Sequence, residues 1–333
     1  MFIVQSKPLG TQDEVKAALQ YAIELEHATI PPYLSALYSL KEGTNEGIAA
    51  IIDGIVFQEM QHMAICANVL NAIRGTPLID DPKFVPKYPG GLPFHIGDRN
   101  GNHFQVPLKR FSLDLVRDVF MHIEEPDQPL VFPERSHMFL LTADQTYQTI
   151  GDFYRELRDA LKEVWFTGVP ARQVGGVVAK VMSLAEAQAG IDRIIQQGEG
   201  TTTSPTDGQE VAHYYRFEEI AKQMTLKPDP TVPVKYSFGP PLIPFDPAGV
   251  WPTLDNPTST SYAAGSQARL RSDLFNRSYS DLLAALQVTF NGAPNRLDDA
   301  IGLMNDIKVQ AIALMQIPLG NGRTAAPCFE YVR

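Results

Sequence analysis

Two ionisable residues one helical turn apart, Glu59 and His62, occupy positions where a helix of this composition needs its core. In the stretch IAAIIDGIVFQEMQHMAICANVLNAI, residues 48–73, Ile48, Ile52, Ile55, Glu59, His62, Cys66, Val69 and Ile73 follow alternating steps of four and three, the spacing of a buried seam in a helical bundle. An unpartnered polar group in such a seam costs roughly 2–7 kcal/mol. A carboxylate and an imidazole at i, i+3 can satisfy one another as a hydrogen-bonded core pair. They can equally share a divalent metal, the use to which di-metal carboxylate bundles put the Glu-x-x-His spacing. One such motif does not decide between the two.

The remainder of the chain supplies the missing parts. Thr11 and Glu14 spell a capping box, and Val15, Leu19, Ala22, Glu26, Thr29, Tyr33, Ala36 and Leu40 keep the four-three alternation, so Glu26 points into the seam. Glu24 and His27 fall off it and read as solvated or rim side chains. Pro31 and Pro32 interrupt this helix without shifting its phase, which predicts a kinked helix rather than two. After Pro170 a seam through Val177, Val181, Leu184, Gln188, Ile191 and Ile195 leads to Glu199, while Glu186 falls on the outer face. A second Glu-x-x-His follows, Glu210 and His213, with its seam continuing through Phe217, Ile220 and Met224. Two such motifs, each preceded by a helix with a seam carboxylate, make the six-ligand set Glu26, Glu59, His62, Glu199, Glu210 and His213. Glu59 and Glu210 are the expected bridges, Glu26 and Glu199 the terminal carboxylates, His62 and His213 the nitrogen donors. Tyr33, Tyr214 and Arg216 lie within a turn or two of these ligands and are the candidates for substrate contacts, or alternatively packing residues and a surface cation.

Residues 11–225 thus read as an all-α, di-metal four-helix bundle, with residues 75–170 as a long crossover between its second and third helices. The crossover carries two amphipathic segments, about 112–124 and 142–164, and apolar residues Phe84, Phe94, Phe111, Phe120 and Phe132, so it should pack over the bundle. Within it His95 and His103 read as loop histidines, and His122, Glu124 and Glu125 as a polar helix end or, alternatively, as the lining of a pocket. Nine prolines mark residues 226–257 as an extended arm. Residues 258–333 form an added helical hairpin, about 267–290 and 296–316.

A net charge of −10 argues against nucleic acid or an anionic membrane as partner, and no apolar run reaches the length of a membrane span. Two cysteines, Cys66 and Cys328, do not make a disulfide framework, and a cytoplasmic setting is expected. The oligomeric state stays open, a homodimer included.

Several of these motifs occur in the order of a known family. IELEHATIPPYLSALYSL, QEMQHM, NVLNAI, TIGDFYREL, the QGEGT segment, HYYRFEEI and the C-terminal FEYV resemble the ferritin-like domain of the iminophenylpyruvate dimer synthase family. The resemblance implies a ferritin-like fold and a pair of divalent metal ions, iron first, with manganese or zinc as alternatives. It further implies a metal-dependent oxidoreductase acting on a small organic substrate, an amino-acid-derived imine. The competing expectation is a metal-binding or ferroxidase protein with no organic substrate.

Overall fold

Two long antiparallel helices, α1 (Gln12–Ser39) and α2 (Glu46–Ala72), carry most of the burial in the computed structural model. It describes residues 9–93, 96–98, 103–126, 129–130, 149–167, 169–201, 203–208 and 210–333. The Thr11–Glu14 capping box starts α1 as expected, and the helix runs through Pro31 and Pro32. Pro32 has no N–H to offer the carbonyl of Ala28, four residues earlier. That carbonyl instead accepts a hydrogen bond from the Tyr88 hydroxyl at 2.8 Å, so the crossover repairs the interruption.

Facing this pair are two further columns, each in two pieces. The first is α3, whose α-helical ends Leu113–Leu115 and Met121–Ile123 flank a π-helical stretch, Val116–Phe120, followed by α4 (Ile150–Ala160). The second is α5 (Leu184–Glu199) followed by α6 (His213–Lys222). α3 packs on α6 and α4 on α5. The four inner ends meet at one level. Glu199, ending α5, accepts from the Gly151 N–H at the start of α4 at 2.8 Å, and a Cβ built on Gly198 would lie 3.7 Å from Glu124 Oε2, just past α3.

The third helix departs from its sequence reading at its start. Residues 177–183 are not helical, because side chains take up their backbone. Gln173 bonds both the N–H and the C=O of Val181, and Asn68 bonds Val174 and Ala179. The helix begins after its Ser183 cap and buries Ala187, Ile191, Ile194, Gln197 and Glu199, while Leu184, Gln188 and Ile195 of the expected stripe are half-buried. In the preceding column, α4 starts at a Thr149 cap; Thr142 and Tyr147 lie outside the described residues. Tyr154, Leu157 and Leu161 of the expected stripe are buried, whereas Val164 is 83% exposed in a 3-10 turn. Phe84, Phe111 and Phe120 of the crossover are in the core; Phe94, His95 and Phe132 lie outside the described residues.

Past the bundle, the proline-rich arm forms an antiparallel hairpin of β1 (Met224–Pro228) and β2 (Tyr236–Leu242), then runs along the end of α1, where Trp251 N–H bonds Ser39 O. The closing helices α7 (Gln267–Phe290) and α8 (Leu297–Met315) form the expected hairpin and cover the outward faces of α1 and α2. This covering corrects the reading of His27 as a surface side chain: it is 4% exposed and bonded to Tyr279 of α7. Among the described residues no helix is long and apolar enough to cross a membrane.

Two predictions follow from this packing. Gly151→Ala puts a methyl 2.1 Å from Glu199 Oε1, which cannot retreat without losing its bond to Gly151 N–H. A loss of about 1–3 kcal/mol in urea unfolding is expected; an unchanged midpoint would mean that the α4–α5 junction bears no load. For His27, burial holds the imidazole down at about 3, below its unfolded value. Between that value and roughly pH 6.5 the unfolded chain binds the extra proton, so stability is lost as pH falls through the window, by up to about 1.4 kcal/mol per pH unit. His27→Phe should flatten that slope in urea titrations at pH 4.5 and 7.

Candidate metal centre

The seam residues of α1 and α2 meet the broken ends of the facing columns. Glu26, Glu59 and His62 bring one ligand atom each within 4.8 Å of one another, and so do Glu59, Glu124 and His213; all five side chains are buried. Glu59 belongs to both groups, and its two oxygens are divided between them. Oε1 lies 2.7 Å from His213 Nδ1, and Oε2 lies 3.9 Å from His62 Nδ1. Glu26 Oε2 is 3.4 Å from His62 Nδ1, and Glu124 Oε2 is 3.6 Å from His213 Nδ1.

Both imidazoles are held by their other nitrogen. His62 Nε2 lies 2.9 Å from the amide oxygen of Gln197, and His213 Nε2 lies 2.9 Å from that of Gln58. An amide oxygen only accepts, so Nε2 carries a proton on each ring, which leaves Nδ1 as the nitrogen a cation would take. The orientation of the Gln58 amide is itself fixed, since its Nε2 donates to Glu210 Oε2 at 3.0 Å and its oxygen also accepts from Arg216 Nη1 at 3.2 Å. His213 Nδ1 has no hydrogen-bond partner despite the short approach of Glu59. A buried nitrogen lone pair beside carboxylate oxygens is a donor set that suits a divalent cation.

The terminal carboxylates are steadied by phenols. Tyr33 donates to Glu124 Oε1 at 2.6 Å, and Tyr154 donates to Glu26 Oε1. Burial first, then Glu124 at Tyr33 and Cys66 followed by Glu26 at Tyr154, raise both phenols well above their usual range, so they remain donors. Burial, reinforced by Glu124 and Glu26, pushes the Glu59 carboxyl well above the usual carboxylate range. At Glu26 burial is outweighed by His62, with Glu59 and Tyr154 adding, and its carboxyl falls below that range. At His62 burial opposes charge, but Glu26 and then Glu59 outweigh it and raise the imidazole. Burial beside Glu124 and Glu26 thus disfavours the charged form of Glu59, and a bound cation would favour it.

Of the six residues read from the two motifs, the structure brings Glu26, Glu59, His62 and His213 together and leaves two apart. Glu210 has a 61% exposed side chain and bonds Gln58. The reason is local: α6 begins at His213, and Ala212 before it is extended (ψ 156°), so Glu210 does not share a helical face with His213. Glu199 is buried, but its carboxylate accepts from Gly151 N–H at the N-terminus of α4 and pairs with Arg155 at 3.3 Å. Tyr33 lies at the cluster, Arg216 stands one layer behind it on Gln58, and Tyr214 is buried edge-on against Tyr215.

Sequence reasoning did not place Glu124, Tyr154, Gln58 or Gln197 at the metal cluster. Glu124 was hidden by the π stretch. An α-helix turns ~100° per residue, so a residue eight after Val116 would be about 80° off its face. The wider π turn absorbs the difference, and Val116, Phe120 and Glu124 are all buried. The two glutamines share a readable signal, since Gln58 and Gln197 are amides at buried positions of helices that otherwise bury apolar residues.

Metal content of purified variants tests this assignment. Glu124→Ala should lose most bound metal, whereas Glu210→Ala should keep it. Gln58→Leu should weaken binding about 10- to 100-fold by freeing the His213 ring. Metal retained by Glu124→Ala but lost from Glu210→Ala would restore the two-motif ligand set.

A ferritin-like family model matches residues 19–222, which contain every residue of the cluster. Dichlorochromopyrrolate synthase of Lentzea aerocolonigenes is 24% identical over 398 aligned residues; the alignment covers 97% of this chain but 36% of that protein, so the chain spans about a third of its relative's length. The crystal structure of a ferritin-like protein from Caulobacter vibrioides superposes with a TM-score of 0.68 at 23% identity, covering 98% of this chain and all of the other. A bundle with Glu/His clusters compatible with a di-metal site, matched by that model over more than half its length, identifies the chain as a member of the ferritin-like family.

Proposed function

We propose that this protein is a metal-dependent oxidoreductase whose centre holds two divalent ions, iron in the first instance, and that it acts on a small organic substrate, an amino-acid-derived imine. The observation that carries the reading is the division of Glu59 between two histidine-containing groups, each with its imidazole pinned through Nε2. Glu59 would bridge the ions, Glu26 with His62 and Glu124 with His213 would complete their protein ligands. Carboxylate and imidazole donors without thiolate suit iron or manganese. Cys66 offers no ligand, since burial raises its thiol and its sulfur faces the Tyr154 hydroxyl at 3.5 Å.

When bound, such a pair of ions supplies redox chemistry that no side chain here can perform. The residues of the chain do the rest. Tyr33 and Tyr154 hold the terminal carboxylates in one rotamer and keep a proton within reach of each. Gln197 and Gln58 keep both histidines in the ligating tautomer, and burial of the whole set excludes bulk water. Support for an imine substrate comes from motifs resembling the iminophenylpyruvate dimer synthase family and from the similarity to dichlorochromopyrrolate synthase. The ferritin-like family match favours a second reading, ferroxidase activity without an organic substrate.

Metal analysis with an absorption spectrum, followed by incubation with an aromatic 2-imino acid generated in situ and a peroxide as the two-electron oxidant, which leaves as water, separates the two. Two equivalents of iron and a product with twice the imine mass less two hydrogens are expected. Iron oxidation with no organic product would leave the ferroxidase reading, and zinc would redirect the centre to hydrolysis.

A further inference from the structure

The outward face of α8 carries apolar surface with little charge. At ~100° per residue, Asp298, Ile301, Gly302, Asn305, Lys308 and Val309 fall within about 60° of a single line along the helix. All six are exposed, Ile301 at 41% and Val309 at 68%. Gly302 stands inside the helix, where alanine would be more favourable, and a Cβ built on it meets nothing within 4 Å among the described residues. Beside this face lies an apolar groove between α2 and α8, lined by Met60, Ile301 and Met304 and by Phe57, which is 55% exposed. The groove's lining holds no Asp, Glu, Lys or Arg; of its polar members, Gln61 is bonded to Val177 O and Arg193, and Asn305 belongs to the α8 face.

We propose that this face is the contact between two copies of the chain, with their α8 helices antiparallel across a two-fold axis level with Leu303. Charge is the first reason. Copies with a net charge of −10 repel, and on this face the one acidic residue, Asp298, is balanced by Lys308. Register is the second. Asp298 and Lys308 lie equally far before and after Leu303, so antiparallel pairing sets each Lys308 against the partner's Asp298 and forms the same ion pair twice. Shape is the third: bare Gly302 lets a second helix come close, and exposed Phe57 beside a groove supplies projection and recess on one surface, as a two-fold contact requires. An anionic membrane is a poor alternative, since it is repelled by the same net charge.

Sedimentation velocity of the full, metal-loaded chain at micromolar concentration tests the contact, with circular dichroism and metal content as checks on folding. The wild type should be a dimer. Val309→Glu and Gly302→Arg, both at exposed positions, should each give monomer with unchanged metal content. Lys308→Asp and Asp298→Lys should each weaken the dimer at least about tenfold, and the two together should restore it. A wild-type monomer, a dimer untouched by Val309→Glu, or a double charge exchange no more dimeric than either single variant would overturn the proposal.

Discussion

Glu59 is the residue on which the arrangement depends. It is buried between two other carboxylates and two imidazoles, and each of its oxygens faces a different histidine. Like charges at such separations cannot all persist in a low-dielectric core, so the protein must hold a proton there or accept cations. The surrounding hydrogen bonds prepare for the second solution: both rings have their protons directed outward to amide oxygens, and both terminal carboxylates are fixed by phenols. Helices without these partners would be better filled with leucine.

The partners are exchanged between opposite columns of the bundle. Glu26 of α1 is held by Tyr154 of the α3–α4 column, and Glu124 of that column is held by Tyr33 of α1. In the same way His62 of α2 is held by Gln197 of the α5–α6 column, and His213 of that column by Gln58 of α2. Apart from Glu59, which α2 gives to both groups, each column thus supplies one ligand to one group and a supporting side chain to the other. Breaking the two facing columns at the cluster's level is what permits this, because a continuous helix repeats its face only every three or four residues. Between the pieces, Glu124 and His213 come forward to the metal groups while Glu199 turns to the next helix's N-terminus.

How much of this was readable follows from where helical phase holds. Glu26, Glu59 and His62 lie on α1 and α2, which are unbroken, and counting in threes and fours places them correctly. His213 was found because the seam C-terminal to it is a true helix, but extrapolating backwards to Glu210 crossed the extended Ala212. Glu199 is buried, as the count places it, but its carboxylate is engaged by Gly151 N–H and Arg155, a use that no periodicity marks. Glu124 needed knowledge of a π turn, which leaves no mark in a periodicity count. The fold class and the hairpin of α7 and α8 were legible because they rest on long periodic segments, where no single residue decides.

The one unequal exchange bears on chemistry. In the two-motif set a second bridging carboxylate would come from Glu210, giving four carboxylates to balance two divalent ions. With Glu210 turned out to Gln58, the cluster offers three. Two divalent ions held by three carboxylates and two neutral imidazoles would keep a net charge of +1, and by Coulomb attraction in a buried site would favour an additional anionic or electron-rich ligand. The departed carboxylate is not idle, since it orients the amide that orients His213. Turned outward, Glu210 keeps its negative charge apart from the two ligand groups and stiffens His213 through Gln58.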